Sequence, residues 1–233
     1  MNDKDLLNAA KYEGQDLIAL AEKNLTKKVP SCPEWDNSDL LLHITQVWLF
    51  VIAQLNSSNP EIRAPLTSHY SKDPKTILKS LIELLGAADP TTPVWTWTSN
   101  RTVRFFIRRM AHENTVHRWD AELAVGETST IETKIANDGI NEILEASIPY
   151  RLSNDSVEHP SGSLHLHQTD GDGEWLVSAT GGNLQVTREH AKGDAAVRGT
   201  AENLFLYLWG RSNDDLEYFG DQKVIEAWAK VAP

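Results

Sequence analysis

The period of the apolar residues changes once along this chain, and that change limits the folds open to it. Up to about residue 148 apolar side chains recur every three or four positions, as in Leu6, Leu7, Ala10, Leu17, Ile18 and Ala21. From Ser163 onward they alternate in short runs, "SLHLHQT", "EWLVSAT", "NLQVTRE" and "AAVRGT". A 3.6-residue period buries one stripe of a helix and a 2-residue period buries one face of a strand, so the two halves build different layers. Helices are predicted over about Asp3–Lys27, Ser38–Asn56, Pro74–Ala88 and Thr102–Val125. Asp36, Asn37 or Ser38 can cap the second, and Gly126 stops the fourth. A fifth helix, about Ile131–Ile148, precedes the polar linker "RLSNDSVEHPSG". Turns are expected at "DGDG" and "GGN", and two amphipathic segments, "AENLFLYLWGR" and "KVIEAWAKV", close the chain. The reading is α+β: a four-helix bundle over residues 1–128, then a small α/β domain over 129–233.

At 233 residues such a chain can bury a sizeable core, and 40% hydrophobic with 24% charged residues is ordinary globular composition. The net charge is −11, from 33 acidic against 22 basic residues. A surface this negative repels phosphate backbones and anionic headgroups, which argues against nucleic-acid and membrane-surface partners. The lone cysteine, Cys32, suits a reducing compartment and has no neighbouring base, so a structural role is expected. The N-terminus lacks a basic-then-apolar leader, and no uninterrupted apolar run approaches bilayer length. A cytoplasmic location is the expectation.

Ionisable residues interrupt two of the helical stripes. On the fourth helix Phe106, Met110, Glu113, His117, Ala121 and Ala124 share a face, with Asp120 at its edge. On the second, Leu40, His43, Val47, Phe50 and Gln54 share one, with His43 in the middle. A buried carboxylate is costly unless it is paired or bound to a metal. Two imidazoles and a carboxylate from facing helices suit zinc or another divalent ion, with an open coordination position. The same residues also admit a plain reading: Glu113 and His117 as an i,i+4 hydrogen-bonded pair and His43 as a satisfied core histidine. Asp120 is placed either to accept a bond from a ligand histidine or to act as a base.

Other candidates carry less. His165 and His167 alternate on a strand with no carboxylate partner in sequence, so a solvated face is expected in preference to a second metal site. "TDGDG" is too short for a calcium loop and reads as a hairpin turn. Arg101, Arg104, Arg108 and Arg109 crowd the start of the fourth helix, as salt-bridge partners or as an anion-attracting rim. Trp35, Trp48, Trp119 and Trp209 are read as core and inter-domain anchors, and Trp95 and Trp97 as cleft-lining.

Three segments, "VPSCPEWDNSDLLLHITQVW", "RRMAHENTVHRWDAELAVG" and "VRGTAENLFLYLWGR", together resemble the mycothiol-dependent maleylpyruvate isomerase family. That family lies in the DinB-like superfamily of metal-binding four-helix bundles, which includes thiol S-transferases. The resemblance implies a DinB-like bundle followed by a sterol-carrier-like α/β domain. It implies His43, Glu113 and His117 as ligands of a divalent metal, usually Zn2+, with Asp120 required beside the metal. Arg211, ending "YLWGR", matches a functional arginine of the C-terminal domain. The implied cosubstrate is mycothiol or a similar thiol, and the substrate a small, anionic electrophile such as maleylpyruvate. Two other readings stand beside isomerase or S-transferase: a non-catalytic metal- and ligand-binding protein, and a thiol-independent metal hydrolase. The loop from Ser57 to Lys72 carries no motif that maps onto a role.

Overall fold

The computed structural model describes residues 1–66, 73–154, 157–180 and 183–231. Its contacts divide the chain into two compact units, Met1–Thr130 and Ile131–Pro233. Among the described residues the first unit holds α1 (Asp3–Lys23), α2 (Asn37–Leu55), α3 (Pro74–Ala87) and α4 (Val103–Leu123). The second holds α5 (Thr133–Glu142), α6 (Ile148–Ser153), β1 (Ser163–Gln168), β2 (Glu174–Thr180), β3 (Asn183–Thr187), β4 (Ala195–Gly199), α7 (Ala201–Leu208), β5 (Glu217–Gly220) and α8 (Gln222–Ala229). The fold is α+β, as its change of period predicts.

Local chemistry sets the helix ends. Asp36 is the cap of α2: its carboxylate accepts from the Ser38 and Asp39 amides, and Asp39 returns a bond to the Asp36 amide. Asp73 caps α3, whose first residue is Pro74. After α4 the chain turns through Gly126 at φ 77°, with the Glu127 amide bonded to the Glu122 carbonyl at 3.0 Å. A left-handed residue in that position lets orphan carbonyls find donors, and glycine adopts it without a Cβ clash.

The helical unit closes around Leu17, Ile18, Ile44, Trp48, Leu81 and Phe106. Helix α4 is its centre. From Phe105 to Ala121 nearly every residue is buried, including Arg109, His112, Asn114, Thr115 and Arg118 as well as the charged face. Such a helix must satisfy its polar groups internally. Asn114 donates to the Ala10 carbonyl (2.6 Å) and accepts from the Trp48 indole (2.9 Å), joining α4 to α1 and α2. Arg118 is held by Glu13, Glu122 and Ser129. Helix α2 is apolar and long enough by composition to cross a bilayer (mean hydropathy 1.4), but half of that stretch is buried within the unit. It reads as a bundle core helix.

In the second unit the described strands form one mixed sheet in the order β3-β2-β1-β4-β5, with β1 and β4 parallel and the other pairs antiparallel. Leu164 and Leu166 face Val177 and Trp175 across one ladder, and Ala195 and Val197 across the other. All six are buried, and Trp175 donates to Asn141 of α5 at 2.7 Å. The opposite face carries His165, His167 and Glu174.

The structure differs from the sequence expectation in two elements. The fifth helix does not run unbroken from Ile131. It starts at Thr133, widens into a π-turn over Ile143–Ser147, where the Ile148 amide bonds the Ile143 carbonyl, and continues as α6. Pro149 has no N–H to donate and crowds the carbonyl four residues back, so a wider turn precedes it. β5 was not expected, because its four residues lie exposed at the sheet edge and show no apolar alternation. The "DGDG" turn is present, with the Gln168 amide bonded to the Gly173 carbonyl. The glycines of "GGN", and residues 67–72 of the Ser57–Lys72 loop, lie outside the described residues.

Candidate metal centre

The interrupted stripes of α2 and α4 meet. One donor atom from each of His43, Glu113 and His117 lies within 4.8 Å of the other two. The His43 and His117 rings are edge-on, with centroids 5.1 Å apart, and Glu113 Oε2 is 3.4 Å from His117 Nε2. His43 itself is half-buried. The deeper side of α2 is formed by Leu40, Ile44, Trp48 and Val51, so the His43 stripe runs along the margin of the core.

His117 is fixed from behind. Its Nδ1 lies 2.9 Å from Asp120 Oδ2, and the Ser31 hydroxyl donates to the other Asp120 oxygen at 2.5 Å. Asp120 is fully buried and its carboxylate accepts from Nδ1–H, so Nε2, turned toward Glu113, is the nitrogen that could give up its proton to bind a metal. Asp120 therefore contacts His117 at the ring nitrogen that does not face Glu113. Glu113 also receives Arg109, which contacts Oε1 through Nε at 2.9 Å and through a terminal nitrogen at 2.8 Å.

These contacts move the titrations. Burial opposes the charged form of Glu113, but the Arg109 guanidinium, the His117 hydrogen bond and the charges of His117 and His43 outweigh it. The carboxyl is held far below the usual carboxylate range. Burial likewise opposes protonation of His117, yet its bonds to Asp120 and Glu113, and their charges, raise its pKa above the ordinary imidazole value.

The donor set fits a divalent ion. Two imidazoles and one carboxylate form a common three-ligand set for zinc, and the Asp120–His117 bond supplies the outer partner such ligands usually have. A set of three protein ligands leaves a coordination position open.

The surroundings include residues that sequence reasoning placed elsewhere or missed. Trp35 is half-buried and packs on His43 with ring centroids 4.9 Å apart, so it belongs to this site and not to the core. It arrives on the tight "VPSCPEW" turn, where Val29 N–H bonds the Trp35 carbonyl and Trp35 N–H the Cys32 carbonyl. The same turn carries Ser31, and the two prolines just ahead of the α2 cap were the readable signal for a rigid loop. Trp97 packs edge-on against Phe105 and lies under the Arg109 guanidinium. Of the arginine cluster, Arg101 pairs with Glu61, Arg104 with Asp3 and Arg109 with Glu113. These are the salt-bridge alternative for those three. A groove of about 630 Å³ between α1 and α3, bordered by Ile18, Leu78 and Ile82, contains none of the trio.

Arg211 lies in the second unit, directly after α7. Gly210 takes a left-handed φ of 66°, its amide bonds the Tyr207 carbonyl, and the Arg211 amide bonds the Leu206 carbonyl. This paired closure fixes where the Arg211 side chain starts. Its guanidinium donates to the Trp209 carbonyl at 2.9 Å and lies over the Trp209 ring.

The expectation for His165 and His167 is corrected. They are not a solvated pair without a carboxylate: Glu174, opposite His167 in the antiparallel register, bonds both, and His165 is buried.

The described structure is thus a helical unit in which two histidines and a carboxylate converge from two helices, followed by a unit built on a mixed sheet. Residues 9–122 match the family described as "Mycothiol maleylpyruvate isomerase N-terminal domain", and residues 134–227 match the "MDMPI C-terminal domain". The chain belongs to the mycothiol maleylpyruvate isomerase family. No curated protein and no solved structure matches it.

Proposed function

We propose that this chain is a metal- and thiol-dependent isomerase or S-transferase acting on a small, anionic electrophile such as maleylpyruvate, with mycothiol or a similar thiol as cosubstrate. The observation that carries the reading is the convergence of His43, Glu113 and His117, with Asp120 bonded to the back of His117, in a member of this family. His43 Nε2 or Nδ1, Glu113 and His117 Nε2 would hold a divalent ion, Zn2+ by the chemistry of the donor set. Such an ion, when bound, lowers the pKa of a thiol so that thiolate is present at neutral pH.

The protein's own groups have distinct tasks. Asp120 keeps His117 in the tautomer that presents Nε2, and Ser31 keeps Asp120 in place. Arg109 neutralises part of the charge on Glu113 and orients its carboxylate. Trp35 covers one side of His43 and limits water there. Arg211 is assigned to the substrate carboxylate through the paired N–H groups of its guanidinium. With a cis-dienoic acid, thiolate adds to the activated double bond, the resulting single bond rotates, and elimination returns the thiolate and the trans product. With a substrate bearing a leaving group, the thiolate displaces it and a thioether remains. A reducing cytoplasm suits a free thiol cosubstrate.

The test is turnover of maleylpyruvate by zinc-loaded protein with and without added mycothiol. Turnover that requires both zinc and thiol is the expected result. Zinc-dependent turnover indifferent to thiol would assign the chain to the hydrolase reading. Zinc bound without any turnover would assign it to the binding-protein reading.

A further inference from the structure

The polar face of the sheet gathers a second set of donors. His165 and His167 project from β1 on the side opposite Leu164 and Leu166, and Glu174 opens β2 directly across from His167. His190, from the connection between β3 and β4, completes the group. Glu174 Oε2 lies 2.6 Å from His165 Nε2, and Oε1 lies 2.7 Å from His167 Nδ1 and 2.9 Å from His190 Nδ1. One donor atom from each of the four residues lies within 4.8 Å of the other three. The three ring centroids are 5.4 to 6.0 Å apart, so the imidazoles ring a single carboxylate.

From this geometry we propose that His165, His167, Glu174 and His190 form a second metal site, a closed four-ligand site for a divalent transition ion such as Zn2+, that ties the β3–β4 connection to the sheet. Three imidazoles gathered on one carboxylate bring together more nitrogen donors than a single ion pair uses. Three neutral imidazole nitrogens and one carboxylate oxygen, by contrast, are a complete tetrahedral ligand set. Around an ion with ligand bonds of about 2.0–2.1 Å the donors sit roughly 3.3 Å apart, inside the 4.8 Å within which these donor atoms already lie. Three of the four ligands start from paired strands, which keeps them in place before the ion arrives. Arg198, opposite His167 on the parallel ladder, is paired with Glu217 at 2.8 Å, which offsets its repulsion of a cation. Near the fourth ligand, Arg188 bonds Asn141 and Glu145 and anchors the connection to α5 and the following turn. With four protein ligands the site has no position for substrate, so its role is structural.

The experiment is a zinc count on the desalted full-length chain, comparing wild type with the His167→Ala/His190→Ala double variant. Both proteins keep His43, Glu113 and His117, so any zinc bound by the helical unit cancels, and the result is independent of the proposed activity. The expected outcome is one more zinc per chain in the wild type, and a zinc-induced rise in melting temperature that the variant loses. Equal zinc content in the two proteins overturns the proposal. A second measurement needs no variant: stoichiometric zinc should shift the ring nitrogen resonances of His165, His167 and His190 in the wild-type chain. Unmoved resonances overturn it as well.

Discussion

The two histidine–carboxylate clusters arrange the same kinds of side chain differently. In the helical unit three donors come from α2 and α4, and the fourth participant, Asp120, sits behind His117 instead of among the donors. On the sheet four donors come from β1, β2 and a connection, and all four face one another. Three ligands with an outer carboxylate make a site with an open position; four ligands make a closed one. Burial follows the same division. Glu113, His117 and Asp120 are inside the bundle, whereas His190 is 77% exposed at its side chain. On the proposed reading, the count and arrangement of donors, more than their identity, separates a site fit for chemistry from one fit for holding a loop.

The largest effect that could break this contrast is removal of Glu113. Glu113→Gln should abolish zinc binding in the helical unit and bring thiol-dependent turnover to background, while the zinc held by the sheet cluster stays; metal analysis beside an activity assay reads both. Asp120→Asn acts one step back. It should keep the fold and weaken zinc affinity of the helical site by about 10- to 100-fold, measured by chelator competition, because outer partners tune ligand basicity and orientation.

A third effect is read from pH. The depressed carboxyl of Glu113 contributes stability above about pH 4.3, its unfolded value, and that contribution is lost as pH falls through its lower folded value. The raised pKa of His117 contributes stability in full below about pH 6.5, and that is lost as pH rises through its higher folded value. Metal-free protein should therefore draw most stability from this pair between about pH 4.3 and 6.5, and lose the His117 share as pH rises through that group's folded pKa. Denaturant midpoints across that range check it, and Asp120→Asn should flatten the alkaline loss. The smallest effect concerns the arginine assigned to substrate. Gly210→Ala forces a Cβ into a left-handed residue at a cost of about 1–2 kcal/mol and shifts the start of Arg211. Its expected signature is a modest fall in melting temperature with a raised KM for the anionic substrate.

The helical site was legible because a helix writes its contacts into the sequence at three- and four-residue spacing. Glu113, His117 and Asp120 could be put on one face from spacing alone, and His43 stood out as a break in an apolar stripe. The partners that complete the site could not be read this way. Ser31 bonds Asp120 across 89 positions, and Trp35 reaches His43 from a loop whose path is set by its own turn bonds. The sheet cluster shows the same limit more severely. Strand alternation put His165 and His167 on one face, but Glu174 joins them through hairpin register and His190 through a connection of irregular path. The α+β division was legible from the change of period. The π-turn before Pro149 and the exposed edge strand β5 were not, since neither leaves a periodic apolar trace.

The most direct test of the account is spectroscopic. Cobalt(II) substituted into the full-length protein gives a site whose ligands are visible in absorption, and addition of mycothiol should produce a sulfur-to-cobalt charge-transfer band in the near ultraviolet. The band should be present in the wild type and absent in His43→Ala. Thiol addition that leaves the wild-type spectrum unchanged would contradict the claim that His43, Glu113 and His117 hold a metal open to a thiol.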